Sequence, residues 1–221
     1  MAKITAGPSV DASLFDAVRA ACAEVAARSR HVHIDHAALP AYAASLPLDR
    51  AVCPAHDPAT HYLGHGVDTV AFFLTLDAIN FGSGYFPQLR KRPGMSGYFT
   101  IAASLLDRFR SRGPFTAAEL AALVAADLPP LFGQERLNGP VTELMRLFAQ
   151  ALNDLGRYLQ AGFQGSYTAL VEAADHSAER LARLLIAMPF YNDVEDYDGL
   201  RVPFFKRAQL TAADLALAFG S

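Results

Sequence analysis

Asp68-Thr69-Val70-Ala71-Phe72-Phe73-Leu74-Thr75-Leu76-Asp77-Ala78-Ile79-Asn80-Phe81 decides how this chain is read. Val70, Phe72, Phe73, Leu74, Leu76 and Ile79 put apolar side chains on nearly every face of a helix. A helix that is apolar all round lies in the middle of a core. Asp77 and Asn80 share one face of it. Burying an ionised carboxylate without a partner is expensive, so Asp77 must be paired, protonated or lining a polar cavity. Two readings stay open. The residues form a polar pair that caps a neighbouring helix, or they form a pocket wall that recognises a polar heterocycle.

Working outward, most of the remaining sequence reads as helix. Leu14, Val18, Cys22 and Val25 recur at helical spacing up to Ser29-Arg30, with Cys22 as core filler. His31 to His36 alternates polar and apolar residues like a short extended segment. A short helix follows over Leu39 to Ala44, then an irregular stretch marked by Pro47, Pro54 and Pro58. On the other side, Gly82-Ser83-Gly84 reverses the chain. Ser96-Gly97-Tyr98 leads into a helix carrying Ile101, Leu105, Leu106 and Phe109, broken at Gly113-Pro114. Thr116 to Glu119 is a capping box with Phe115 and Leu120 as its staple, and that helix ends before Pro129-Pro130. Asn138-Gly139-Pro140 opens the longest helix, which Gly162 ends. Ser166 caps another. Leu181, Leu184, Leu185 and Met188 stripe a further one, closed by Pro189. A polar segment runs from Asn192 to Gly199, and a last helix starts near Ala208. The class is all-α with little or no sheet, in a single domain over residues 1–221.

Composition narrows the function classes. Hydrophobic residues make up 52% of 221, which suits a globular core, and the net charge of −3 disfavours general binding to nucleic-acid backbones. Arg90-Lys91-Arg92 reads as a solvated loop. The longest apolar stretch is too short to span a bilayer, and no secretory leader is visible. Cys22 and Cys53 form no metal or disulfide pattern, which fits a reducing cytoplasm. His31, His33 and His36 lie close together, as do His61 and His65. Glycines flank His65 and no glutamate follows His61, so the reading is loop histidines and no bound metal. No P-loop, dinucleotide fingerprint or nucleophile elbow is present.

Val202-Pro203-Phe204-Phe205-Lys206-Arg207-Ala208-Gln209-Leu210 sets two aromatics and two cations before the last helix. On its own it reads two ways. The aromatics anchor a helix start while the cations stay in solvent, or Lys206 donates to a phosphate near a helix N-terminus. Together with Thr75 to Phe81, Ser96-Gly97-Tyr98 and Phe163-Gln164-Gly165-Ser166, this stretch resembles the queuosine salvage family. The likeness runs from the first helix to the end of the chain, with differences in loop length around His56 to Gly66.

The resemblance implies a compact multi-helix fold similar to helical DNA glycosylases. It also implies a monomeric, metal-free and cofactor-free N-glycosyl hydrolase. Such an enzyme cleaves queuosine 5'-phosphate with water and releases queuine for tRNA modification, without binding nucleic acid or membrane itself. It implies a base-contacting histidine at His56, and pocket positions at Asn80, Phe81, Tyr98 and Lys206. Asp77 and Arg207 join these as substrate-binding candidates, and Asp77 is the candidate catalytic acid within the chain. In the family a Phe-Ala-Asp segment with the presumed catalytic aspartate follows the Lys-Arg-Ala-Gln helix. This sequence runs to Ala218-Phe219-Gly220-Ser221 without it, and the expectation is a domain incomplete at its C-terminus. The alternatives are a non-catalytic binder of a modified nucleoside or nucleotide, and a helical tRNA-binding module.

Overall fold

The computed structural model describes residues 13–51 and 55–220. Cys53 and Pro54 lie outside the described residues. The chain divides into two units, one of residues 13–51 with Val194–Phe204, the other of Ala55–Asp193 with residues 205–220.

In the first unit, α1 (Leu14–Arg28) starts at Ser13, whose side chain accepts from the Phe15 amide, and α2 (Leu39–Ser45) follows after an exposed, unpaired segment over His31 to Asp35. The polar run after Asn192 is a hairpin. β1 (Val194–Tyr197) pairs antiparallel with β2 (Leu200–Pro203), and α1 packs on β2. The turn residues Asp198 and Gly199 take φ of 55° and 74°, the left-handed pair that an Asp-Gly hairpin turn requires. Arg30 pairs with Asp198 at 2.9 Å. Cys22 corrects the sequence reading, because it is exposed. Only Leu14 of α1 is fully buried, since a single two-stranded hairpin cannot cover the whole apolar stripe.

The second unit is a helical body built round α3 (Val67–Ala78). Every residue from Thr69 to Ala78 is buried, as an all-round apolar helix demands. Fully burying side chains such as Phe72 and Phe73 contributes about 1.5–3 kcal/mol each. Packed on or near it are α4 (Gly97–Arg112), α5 (Ala117–Ala122), α6 (Leu128–Leu131), α7 (Gly139–Phe163), α8 (Tyr167–Glu172), α9 (Ala178–Leu185) and α10 (Lys206–Phe219). The capping box at Thr116 and Glu119 is formed, and Phe115 and Leu120 are both buried.

The helix capped by Thr116 ends at Ala122, ahead of Pro129 and Pro130 as expected, and those prolines stand in the first turn of the separate short helix α6, where a missing N–H costs no helical bond. Two boundaries differ from expectation. The long helix α7 runs through Gly162 to Phe163 and stops at Gln164, which is left-handed at φ 54°. The Gly165 amide then closes onto the Leu159 carbonyl. Gly156 lets α5 and α7 approach closely: a Cβ there would lie 2.4 Å from the Ala121 amide nitrogen and 2.6 Å from the Ala117 carbonyl. The last helix begins at Lys206, two positions ahead of expectation. Phe205 precedes it with φ 48°, a left-handed conformation uncommon for an aromatic residue, held by a ring that is 8% exposed.

Candidate functional site

The site lies wholly within the second unit, where α3 packs against α10. On α3 the Asp77 carboxyl is completely buried. Neither of its oxygens has a hydrogen-bond partner of ordinary geometry, although the Asn80 amide, the Thr211 hydroxyl and the Asp214 carboxyl all face it. Asn80 stands just past the end of α3, and its amide closes onto the Asp77 carbonyl at 3.1 Å. From α10, Arg207, Thr211 and Asp214 recur at helical spacing and form one polar stripe toward α3. Burial lifts the Asp77 pKa well above the usual carboxylate range, and the nearby Asp214 charge lifts it further. Asp214 is also raised by burial, but less starkly, because His56 and His61 favour its charged form. Two neighbouring carboxyls cannot both ionise cheaply, and the deeper burial of Asp77 makes it the one whose neutral form is favoured, Asp214 being partly exposed.

Histidines and a tyrosine complete this polar cluster. His56 donates from Nε2 to the Asp214 carbonyl at 3.0 Å, and the same nitrogen is 4.0 Å from the Asp214 carboxylate. Its ring rests on Phe73 at 4.4 Å and against His61 at 5.0 Å. His61 is buried, and its Nε2 is 3.1 Å from the Tyr98 hydroxyl. Burial lowers the His61 pKa from its ordinary value. Tyr98, in the first turn of α4, has its pKa raised by burial and by the facing Asp77 and Asp214 charges. Tyr191 is fully buried and lies 3.3 Å from the Thr211 hydroxyl.

A second cluster adjoins it through Tyr191. The Arg207 guanidinium lies 5.0 Å over the Phe81 ring, 5.8 Å from Phe190 and 5.9 Å from Tyr191. Phe81 stacks on Phe190 at 5.5 Å and meets Phe148 edge-on. Asp193 holds the Arg207 Nη2 at 2.8 Å and its backbone amide at 3.3 Å, while the buried Nη1 has no partner. Lys206, one step round the helix from that stripe, is exposed.

The structure therefore gathers His56, Asp77, Asn80 and Tyr98 into one cluster and Phe81 with Arg207 into the adjoining one. Sequence reasoning missed Asp214, Thr211, His61 and Tyr191. The signal for the first two was the spacing of Arg207, Thr211 and Asp214 along one face of a helix that is otherwise mostly apolar. The remaining histidines do other work. His31, His33 and His36 are exposed, and His65 stacks on Tyr62 at 3.9 Å. Among the described residues no group of three or more His, Cys, Asp or Glu side chains is placed to hold a metal ion. Among the described residues no helix is long and apolar enough to cross a membrane.

The class is thus a mainly helical protein that gathers a buried acid, a second, partly exposed acid, histidines and a tyrosine into one polar cluster. The comparisons make it specific: residues 60–221 match the family described as Queuosine salvage protein, and the chain belongs to that family. It is 30% identical over 200 residues to the queuosine 5'-phosphate N-glycosylase/hydrolase of Sphaerobacter thermophilus, a match covering 88% of this chain and 61% of that protein. It is 32% identical over 120 residues to the Bos taurus protein of the same name, covering 54% of this chain and 35% of that one. The chain thus spans about three fifths of the length of the bacterial relative.

Proposed function

We propose that this chain is part of an N-glycosyl hydrolase that releases queuine from queuosine 5'-phosphate, and that the Asp77–Asp214 cluster is the base-binding end of its pocket. The observation that carries the reading is Asp77: fully buried, without a hydrogen-bond partner, and with burial and a second acid raising its pKa. Queuine is a 7-deazapurine, so protonation at N7 is not available to loosen the base. The departing heterocycle needs hydrogen bonds at other atoms. A neutral carboxyl in a dry site supplies one, with Asp77 as donor and Asp214 as the partner that more readily carries charge.

The other groups divide by chemistry. His56, Asn80 and Tyr98 meet the polar edge of the base and its cyclopentenediol arm. Phe81 offers an aromatic face, and the free Arg207 Nη1 offers a donor to a ligand oxygen. Lys206, exposed at the start of α10, is the candidate cation for a 5'-phosphate, although the Arg207 amide beside it is already held by Asp193. Positive charge that builds on the ribose as the C–N bond breaks calls for a carboxylate beneath the anomeric carbon. The family resemblance assigns that group to the Phe-Ala-Asp segment, which is not in this sequence. We read the helical body as similar in fold to helical DNA glycosylases, which break the same kind of bond.

The test is incubation with queuosine 5'-phosphate and mass-spectrometric detection of free queuine. It is run with this chain and with a version extended to the length of the Sphaerobacter relative. Queuine release by the extended protein, lost on Asp77→Asn, is the expected result. Saturable binding without release by the extended protein would leave only a non-catalytic binder, and absence of binding would end the reading altogether.

A further inference from the structure

His61 is not among the residues that the resemblance points to, yet its hydrogen bonds favour one proton assignment over the other. Its Nδ1 lies 3.2 Å from the Asp57 carbonyl oxygen and 3.0 Å from the Thr60 hydroxyl, which itself donates to the Asp57 carbonyl at 3.3 Å. A carbonyl oxygen only accepts, so hydrogen on Nδ1 makes the Asp57 contact a bond, whereas the opposite tautomer would need the Thr60 hydroxyl to donate to Nδ1 and would leave that contact unmade. The ring is held parallel to Phe73, at 15° and 5.8 Å, with Phe72 and Phe99 edge-on. In that apolar cage, 5% exposed, the neutral imidazole is favoured. A neutral ring with hydrogen on Nδ1 has a bare Nε2 that can only accept. The Tyr98 hydroxyl, 3.1 Å away, must therefore donate to it.

This consumes the only hydrogen of Tyr98. What its oxygen can then offer any other partner is lone pairs alone. We infer that His61 is a positioning residue that holds the Tyr98 oxygen as a fixed acceptor, so that the pocket selects a ligand presenting an N–H or O–H donor at that point. The inference rests on the proposed function for the identity of that ligand: a 7-deazaguanine ribotide, whose base edge and diol arm both carry such donors. A pocket built to accept a donor discriminates against analogues that lack it, because the acceptor would then be buried unpaired.

Protonating His61 reverses the relay. Nε2 becomes a donor, the Tyr98 oxygen must accept from it, and the hydroxyl hydrogen swings toward the ligand's own donor. The charged and titratable groups facing this pair are His56 and Asp57 on its own segment, Asp214 on α10, and Asp77 on α3 toward Tyr98. Several of these titrate too, so the relay is isolated by comparing variants instead of reading one profile.

The first measurement is ligand-free: long-range proton–nitrogen NMR spectra of the labelled protein, with His61 assigned by its loss in His61→Gln. The expected result is hydrogen on Nδ1 and an unprotonated Nε2 at neutral pH; hydrogen on Nε2 overturns the relay. The second is the affinity for queuosine 5'-phosphate against pH for the unmodified protein, Tyr98→Phe, His61→Gln and the double variant. Each single variant should bind roughly fivefold to tenfold more weakly at neutral pH, the range of one buried neutral hydrogen bond. Both should lose the same acid-side component of the profile, and the double variant should add little. Additive losses, or an unchanged acid limb in His61→Gln, overturn the inference. If the unmodified protein binds no queuosine 5'-phosphate at any pH, the proposed function fails instead, and the nitrogen spectra still judge the relay.

Discussion

Replacing Asp77 by asparagine should stabilise the second unit increasingly as pH rises. Asp77 is completely buried, and its folded-state pKa is raised by desolvation first and by the Asp214 charge second. In the unfolded chain it returns to an ordinary value near 3.8. Between that value and the raised one, the folded state holds a proton that the unfolded state has lost. Stability contributed by this group is therefore complete below the unfolded pKa and drains away as pH climbs toward the folded pKa. The slope for one such proton is about 1.4 kcal/mol per pH unit. For a chain of this size that corresponds to roughly 3–6 °C of melting temperature per unit. Asparagine keeps the shape of the protonated acid and carries no charge, so Asp77→Asn should lack this slope and retain the smaller one owed to Asp214. The assay is thermal or urea unfolding of both proteins from pH 4.5 to pH 8.5 at fixed ionic strength. Parallel stability curves would mean that Asp77 is ionised with an ordinary pKa. The argument for a proton held in the site would then be wrong.

Gly156→Ala should cost at least the 1–3 kcal/mol typical of overpacking, because the new methyl would strike the α5 backbone, which cannot swing aside as a side chain can; a denaturant midpoint no lower than that of the parent would refute this. Arg207→Ala should cost about 3–5 kcal/mol by leaving Asp193 half-buried without its partner and removing the cation from the Phe81 face. Urea titration checks it, and a loss under about 1 kcal/mol would place Arg207 with ordinary surface ion pairs.

What the sequence disclosed and what it hid follow from the range of the forces involved. The central helix α3 was legible because apolar residues on every face admit one environment, the core. The capping box at Thr116 was legible because its partners are three residues apart. The hairpin over Val194 to Pro203 passed as a polar segment because both strands are short and largely exposed. The turn dipeptide Asp198-Gly199 was the local clue. Cys22 was placed inside because helical periodicity tells which face is apolar, not how much partner surface exists to cover it. Of the site, Asp77 announced itself as a charge in an apolar helix. Asp214 did not, because an acid on a helix of mixed polarity is ordinary. Only the packing of α10 on α3 sets these two acids, remote in sequence, against each other.

That packing also bears on why an acid is tolerated at Asp77 at all. A leucine or methionine there would bury apolar surface against α10 and leave no orphaned oxygen. The helix as built instead accepts a desolvated carboxyl whose oxygens lack partners, beside a second acid and two tyrosines whose pKa values burial and those acids push up. Structural polar groups in cores are usually satisfied, since each unsatisfied one costs about 1–3 kcal/mol. Here Asn80 and Asp214 face the carboxyl, while other polar neighbours already hold bonds of their own. His56 bonds the Asp214 backbone, Tyr98 bonds His61, and Thr211 bonds the Arg207 carbonyl at 3.0 Å. The neighbours are thus fixed in orientation while the Asp77 carboxyl stays unpaired. The unpaired Asp77 carboxyl therefore leaves stability unrealised, as a buried polar group without a partner must.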